Sequence, residues 1–340
     1  MRLLNTKTLE LKEFIEKPLQ GYAILSHTWG EDEVVLYEDM KCRNDIKKKR
    51  GYRKIVKCCE LALAAGYDWV WIDTCCIDKG SSAELSEAIN SMFDWYKSSD
   101  ICYVYLEDVD IVGASDLTYQ YFSRCRWVTR GWTLQELIAP EAMVFYSADW
   151  QACGTRQYHA STLERVTGVS ASLLDGSWQQ EKFALVSSPL SKFSIAQRMS
   201  WAARRRTTRA EDVAYCLLGI FDVNIPLLYG EGEAKAFWRL QEEIMKKSSD
   251  HSLLSWKGEP SEREMSILAP WPSRFLPRIK EELGDFSNVV PCGEHNSPYH
   301  MTNGGVQIEL MMMELNSLPS TLFSPTKDPD LRGTHLAALD

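Results

Sequence analysis

Apolar positions in the first 150 residues switch between two periods, one of strands and one of helices. Residues 22–26 form a short apolar run ending in a polar turn, which predicts a strand. Tyr52, Ile55, Val56, Cys59, Ala62 and Leu63 then recur at helical spacing, and Gly66 is placed to close that helix. Residues 69–73, aromatic and β-branched, predict a second strand. Ser81 and Glu84 have the spacing of a capping box ahead of the stripe Leu85, Ala88, Ile89, Met92, Phe93 and Tyr96. Residues 101–106 predict a third strand, followed by a loop with Gly113 and Ser115. Residues 132–138 predict a short helix stopped by Pro140, and residues 142–146 a fourth strand. Strands separated by helices predict an α/β fold, a mostly parallel sheet with helices on both faces. Ligands of such sheets gather outside the carboxyl ends of the strands, where Ser26, Asp73 and Glu107 fall.

The pattern changes from Gln151 onward. Residues 155–190 are polar with short apolar patches, and give a helix only near 161–166. Thr208 and Glu211 are placed to cap a run over 213–218 that ends at Gly219. Ala234, Phe237, Trp238, Gln241, Ile244 and Met245 share one face of a further helix. Residues 267–340 are rich in Pro and Ser, with strand-like runs such as 305–311 and a final segment, 317–340, expected to be loosely held. The expected organisation is therefore a core over 1–150, a mainly helical extension over 151–256 and a small irregular region over 257–340.

Apolar residues at 45% and charged residues at 25% match a globular chain, which makes a sizeable core affordable. A net charge of −9 predicts no general attraction to nucleic acid or anionic lipid. The basic runs at 47–50 and 204–206 read as solvated faces or loops. Ten cysteines without a CxxC pair predict reduced thiols, no metal site and a reducing, cytoplasmic setting. The first residues mix charge with Leu and do not read as a signal peptide, and no apolar run is long enough to span a bilayer.

Two clusters carry candidate chemistry. Ser26, His27, Thr28, Trp29 and Gly30 form a strand-to-loop turn. Its hydroxyls and N–H groups suit phosphate or ribose oxygens, or else satisfy the local backbone. Asp73 either accepts a ligand hydroxyl or braces that turn. Asp78 and Lys79 read as structural neighbours. Cys75 and Cys76 lack the base or positive surroundings that a thiolate nucleophile needs. Trp69, Trp71, Trp95 and Trp127 read as core rather than ligand cage.

The stretches YAILSHTWGEDE (22–33), WVWIDTCCIDKGSSAELSEAI (69–89) and SRCRWVTRGWTLQELIAP (123–140) resemble, in wording and order, the fungal heterokaryon-incompatibility (HET) domain. Residues 200–244 and 290–310 are similar to segments that follow that core in fungal incompatibility proteins. The resemblance implies self/non-self recognition that triggers cell death, acting through self-association or a signalling partner. No nucleotide-binding P-loop or WD-type repeat of the larger family members is found, so the chain reads as a lone effector module or a truncated gene product.

A more distant resemblance is to the Toll/interleukin-1 receptor (TIR) domain, which implies a TIR-like or flavodoxin-like core. YAILSHTWGED and WIDTCCIDKG are similar to its first two strands and their loops. RGWTLQEL resembles the segment in which a Trp precedes a glutamate by four residues. That glutamate is catalytic in NAD-cleaving TIR domains, and Glu136 matches it, with Trp132 before it. His27 to Trp29 and Thr133 depart from the TIR loop and cysteine positions. The resemblance implies NAD⁺ as substrate rather than cofactor, Glu136 as catalytic carboxylate, the Ser26–Gly30 turn and Asp73 on the dinucleotide, and Trp132 or Trp29 as aromatic wall. The plainer reading of Glu136 is an exposed carboxylate near a helix N-terminus. Non-enzymatic signalling through domain contacts is the competing class.

Overall fold

A computed structural model describes residues 1–29, 34–42, 46–110, 119–177, 188–258, 266–276, 299–302, 305–307, 312–314 and 335–337. Gly30, Gly113 and Ser115, singled out above, lie outside the described residues. The chain opens with a hairpin, β1 (Arg2–Asn5) and β2 (Leu11–Glu13). There follow β3 (Ala23–His27), α1 (Tyr37–Cys42), α2 (Arg50–Ala64), β4 (Trp69–Trp71), α3 (Asp73–Cys76), α4 (Ser82–Ser98) and β5 (Ile101–Tyr105). Three short helices, α5 (Tyr119–Arg124), α6 (Arg126–Thr129) and α7 (Thr133–Ile138), lead to β6 (Met143–Tyr146) and β7 (Ala152–Thr155).

The seven strands make one sheet in the order β2-β1-β4-β3-β5-β6-β7. The four inner strands β4, β3, β5 and β6 run parallel, while β1, β2 and β7 pair antiparallel at the margins. The fold is α/β, as the alternating periods predict. β3 is buried along its whole length, as a central strand covered on both faces must be. The chain leaves β3 for β4 on one side and then crosses to β5 on the other. The strand order therefore reverses between β3 and β5, which makes their carboxyl ends the switch point of the sheet.

Side chains of β3 alternate between the faces. Leu25 and His27 look toward α2. Ser26 looks toward α4 and α7, where the Tyr96 hydroxyl of α4 donates to the Leu25 carbonyl at 3.0 Å. Trp71 and Trp127 are fully buried, and Trp71 packs edge-to-face on Trp95 and Tyr96, as core residues do. At the start of α4 only half of the expected capping box forms. The Ser81 hydroxyl accepts from the Glu84 N–H, but the Glu84 carboxylate is taken by Arg2 at 2.6 Å and by the Asp78 N–H at 2.8 Å.

The extension is helical: α8 (Ala160–Thr167), α9 (Ala171–Asp175), α10 (Ile195–Ser200), α11 (Asp212–Tyr215), α12 (Leu218–Phe221) and α13 (Glu233–Lys247). Gly219 does not end a helix. It sits inside α12, where a Cβ would come within 2.1 Å of the Phe93 Cβ, so the missing side chain lets α12 lie against α4. Glu211 does not cap through Thr208; its carboxylate accepts the Gly230 and Gly232 N–H groups at 2.7 and 3.0 Å. Arg205 is not solvated either. It donates to the Arg130 carbonyl and the Thr133 hydroxyl, both at 2.9 Å, and its burial lowers its pKa to about 10. Of the C-terminal region, two small antiparallel pairs are described, β8 (His300–Thr302) with β9 (Gly305–Gln307) and β10 (Met312–Glu314) with β11 (His335–Ala337). The remainder of 308–311 and 317–340 lies outside the described residues. No described helix is long and apolar enough to cross a membrane.

Candidate functional site

Ser26 stands at the carboxyl end of the central strand, in a buried position where a hydroxyl requires partners. It has two. The Trp127 indole N–H donates to its oxygen at 2.7 Å, and its own O–H donates to the Glu136 carboxylate. Glu136 lies on α7 with only 7% of its surface exposed. Burial pushes its pKa up to about 8, the neighbouring Asp73 charge adds to this, and the Ser26 hydroxyl, Arg130 and Tyr96 act against it. The carboxyl is therefore mostly protonated at neutral pH, and it is not the exposed helix carboxylate of the plainer sequence reading.

Local chemistry explains why α7 presents this acid inward. The Thr133 hydroxyl donates back to the Trp127 and Arg130 carbonyls and ties α7 to α6. At the other end Arg156, itself buried, donates to the carbonyls of Leu137 at 2.8 Å and Ile138 at 3.2 Å. A guanidinium at a helix C-terminus satisfies carbonyls that have no partner within the helix and matches the dipole. Gln135, also fully buried, donates to the Cys216 carbonyl of the extension at 2.8 Å. All six residues of α7 are thus buried, clamped from three sides.

A second group forms beside the first. Asp73 Oδ2 accepts the Trp29 indole N–H at 2.9 Å, and Oδ1 lies 3.0 Å from His27 Nε2. Burial opposes the Asp73 charge, but His27, Lys79 and Arg130 outweigh it and hold the carboxyl down at about 2. His27 is pushed down by burial and by Lys54, with Asp73 and the Thr28 carbonyl opposing. Thr28 is buried, its carbonyl 3.3 Å from Lys54 Nζ, and the Trp29 carbonyl accepts from Arg126 at 2.9 Å, so the turn is pinned at its backbone.

The structure thus brings Ser26 to Glu136, and His27 and Trp29 to Asp73. It draws Trp132 elsewhere: its indole N–H donates to Asp212 of the extension at 3.1 Å. The cavity at the switch point is bounded by His27 and not by Glu136, because adjacent residues of β3 face opposite sides of the sheet.

Sequence reading missed the cations of this site. Lys79 does not pair with Asp78. Its ammonium lies 3.4 Å from the Trp29 ring centroid, and Arg130 lies over the same ring at 5.3 Å. Arg209 from the extension adds positive potential at Lys79, whose pKa is lowered by burial and by both arginines, against Asp73 and Cys75. The order RWVTRG offered a signal for Arg130, but nothing in sequence linked Arg209 to Lys79. The Cys75 thiol, buried and next to Cys76, is held far above its ordinary value, which disarms it as a nucleophile. Among the described residues no group of His, Cys, Asp and Glu has the spacing of a metal site.

The family model described as heterokaryon incompatibility protein (HET) matches residues 22–119, from the start of β3 to the start of α5. The vegetative incompatibility protein HET-E-1 of Podospora anserina is 48% identical over 240 residues, 69% of this chain. The chain belongs to the HET domain family. It spans only 17% of the length of HET-E-1. In this HET protein a second model, a domain of unknown function (DUF8212), matches residues 235–269, which take in most of α13. No solved structure matches the chain significantly.

Proposed function

We propose that this HET protein is an effector of heterokaryon incompatibility, and that its chemistry is hydrolysis of NAD⁺ at Glu136. The observation that carries the reading is the buried Glu136 carboxyl clasped by Ser26 at the tip of the central strand. Its raised pKa is the property of a carboxyl tuned for proton work near neutral pH. The cations Lys79 and Arg130 over Trp29, with Arg209 adding to the potential at Lys79, supply a positive field and an aromatic face suited to a dinucleotide phosphate and ring. Loss of nicotinamide from ribose passes through an oxocarbenium-like state that a nearby carboxylate stabilises. The bond from C1′ to the nicotinamide nitrogen breaks, and its electron pair leaves with nicotinamide, which departs neutral. Water oxygen bonds to C1′, and its proton passes to Glu136 and then to solvent. The products are nicotinamide and ADP-ribose. The positive nicotinamide ring of an arriving substrate favours the ionised carboxyl.

Purified protein incubated with NAD⁺ at several protein concentrations, with nicotinamide followed by chromatography, tests the reading. Release abolished by Glu136→Gln is expected; no release at any concentration, or release unchanged in the variant, sinks it. The second reading is a non-enzymatic module that signals by self-association or by contact with a partner protein. It is favoured by the small exposure of Glu136 and by the Ser26 hydroxyl that already pairs with it. Cell death that survives Glu136→Gln distinguishes it.

A further inference from the structure

A cavity of about 270 Å³ opens at the carboxyl ends of β3 and β5, on the α2 face. It lies on the opposite side of β3 from the Ser26–Glu136 pair, and none of the chemistry proposed above uses it. Its position is the switch point of the sheet, where open α/β folds bind small ligands. Leu25, His27 and Ile72 form its floor. Arg50, Arg53 and Lys54 line it from α2, against one facing carboxylate among the described residues, Glu107.

Three features mark it as a built site. Lys54 is half-buried, and among the described residues no carboxylate forms an ion pair with it. Among the described residues its hydrogen bond is to the Thr28 carbonyl, long at 3.3 Å, and its ammonium otherwise faces the Tyr105 ring with the centroid 5.6 Å away, so N–H donors remain for a ligand. Across the cavity Glu107 Oε2 is buried with no hydrogen-bond partner. An acceptor in that state is matched by a ligand hydroxyl or amine. The third feature is Trp150. Its backbone φ is +62°, a conformation costly for a bulky side chain. That conformation holds the indole stacked on Tyr105, centroids 4.5 Å apart and planes 18° from parallel, and both rings line the cavity. The conformation closes the turn from β6 to β7, where the Ser147 carbonyl accepts from the Trp150 N–H at 2.9 Å, and the turn thereby sets the indole at the cavity wall.

We propose that this cavity is a second ligand site, which takes a small planar anion of the nucleotide class. Lys54 and Arg53 receive its phosphate, Glu107 accepts from its hydroxyl or amine, and Trp150 with Tyr105 provides the flat wall for its ring. Cations recognise the phosphate, and the aromatic wall separates a nucleotide from a bare anion. The occupant also meets His27, whose partner Asp73 accepts the Trp29 indole N–H. The site is therefore linked through His27 to Asp73, whose charge acts on Glu136.

Isothermal titration of the full chain with adenosine 5′-monophosphate, and separately with inorganic phosphate, tests the proposal. Adenosine monophosphate carries no nicotinamide, so its binding is read independently of any NAD⁺ cleavage. Saturable binding is expected, tighter than that of phosphate. Lys54→Gln should weaken it about tenfold or more, as loss of a charge-assisted contact does. Arg53→Gln, at an exposed position, serves as the variant that carries no folding risk and should weaken it in the same direction. Trp150→Leu should weaken the nucleotide and leave phosphate unaffected. Absence of nucleotide binding overturns the proposal, as does binding indifferent to both cation variants. Equal affinity for phosphate and nucleotide overturns the role of the aromatic wall.

Discussion

Glu136 concentrates the physics of this protein at the residue scale. Its folded-state pKa of about 8 stands above the ordinary value of 4.5, so between these pH values the folded protein holds a proton that the unfolded chain has released. The resulting stabilisation is full below the lower value and is lost as pH rises through the upper one, with a slope of at most about 1.4 kcal/mol per pH unit. Thermal melts between pH 6 and 9 should therefore fall more steeply for the wild type than for Glu136→Gln. Parallel curves would show that the carboxyl is not held protonated. Ser26→Ala removes the donor to Glu136 and the acceptor for Trp127 together. A loss of about 1–3 kcal/mol in chemical denaturation is expected, with the Glu136 pKa moving further up. If Glu136 catalyses hydrolysis, kcat/KM rises with pH as the free protein's carboxyl ionises.

At the scale of elements, α7 is six residues long and cannot hold itself. Its geometry comes from Arg156 below, Thr133 behind and Arg205 from the extension. Arg205→Met leaves the Arg130 carbonyl and the Thr133 hydroxyl without that donor. Hydrogen exchange over residues 130–138 should accelerate while the strands stay protected, and unchanged exchange would remove Arg205 from this role. The seam between α12 and α4 depends on Gly219. Gly219→Ala places a methyl group against Phe93 and should cost about 1–3 kcal/mol, read as a lower Tm.

Across the whole molecule the extension is part of the core rather than an appendage. Gln135 reaches Cys216, Trp132 reaches Asp212, and α12 lies on α4. The hydrophobic core runs without interruption from Leu3 and Leu4 through Phe145 to Phe237 and Leu240. A fragment ending at residue 156 should therefore lose cooperative unfolding and expose apolar surface, measurable as dye binding and a flattened melt. A sharp transition in that fragment would mean that the sheet folds without its extension.

The strand and helix periods of residues 22–146 were legible because burial imposes a periodicity on each element alone. The parallel α/β class and the long helices followed from that local information, whereas the HET kinship rested on the resemblance of three motif stretches. The hairpin of β1 and β2, the margin strand β7 and the short helices α3, α5 and α6 were not legible, since a few residues carry too little periodic signal. The sequence placed Ser26, Asp73 and Glu107 at strand ends and Glu136 on a short helix, yet only folding decided that Ser26 and His27 serve opposite faces. Only folding, too, set Lys79 over Trp29 and Arg205 against Thr133, because such contacts join residues far apart in the chain and leave no mark on local spacing. The pKa of Glu136 belongs to the same category: a carboxyl's charge is decided by the dielectric and the charges that tertiary packing puts around it.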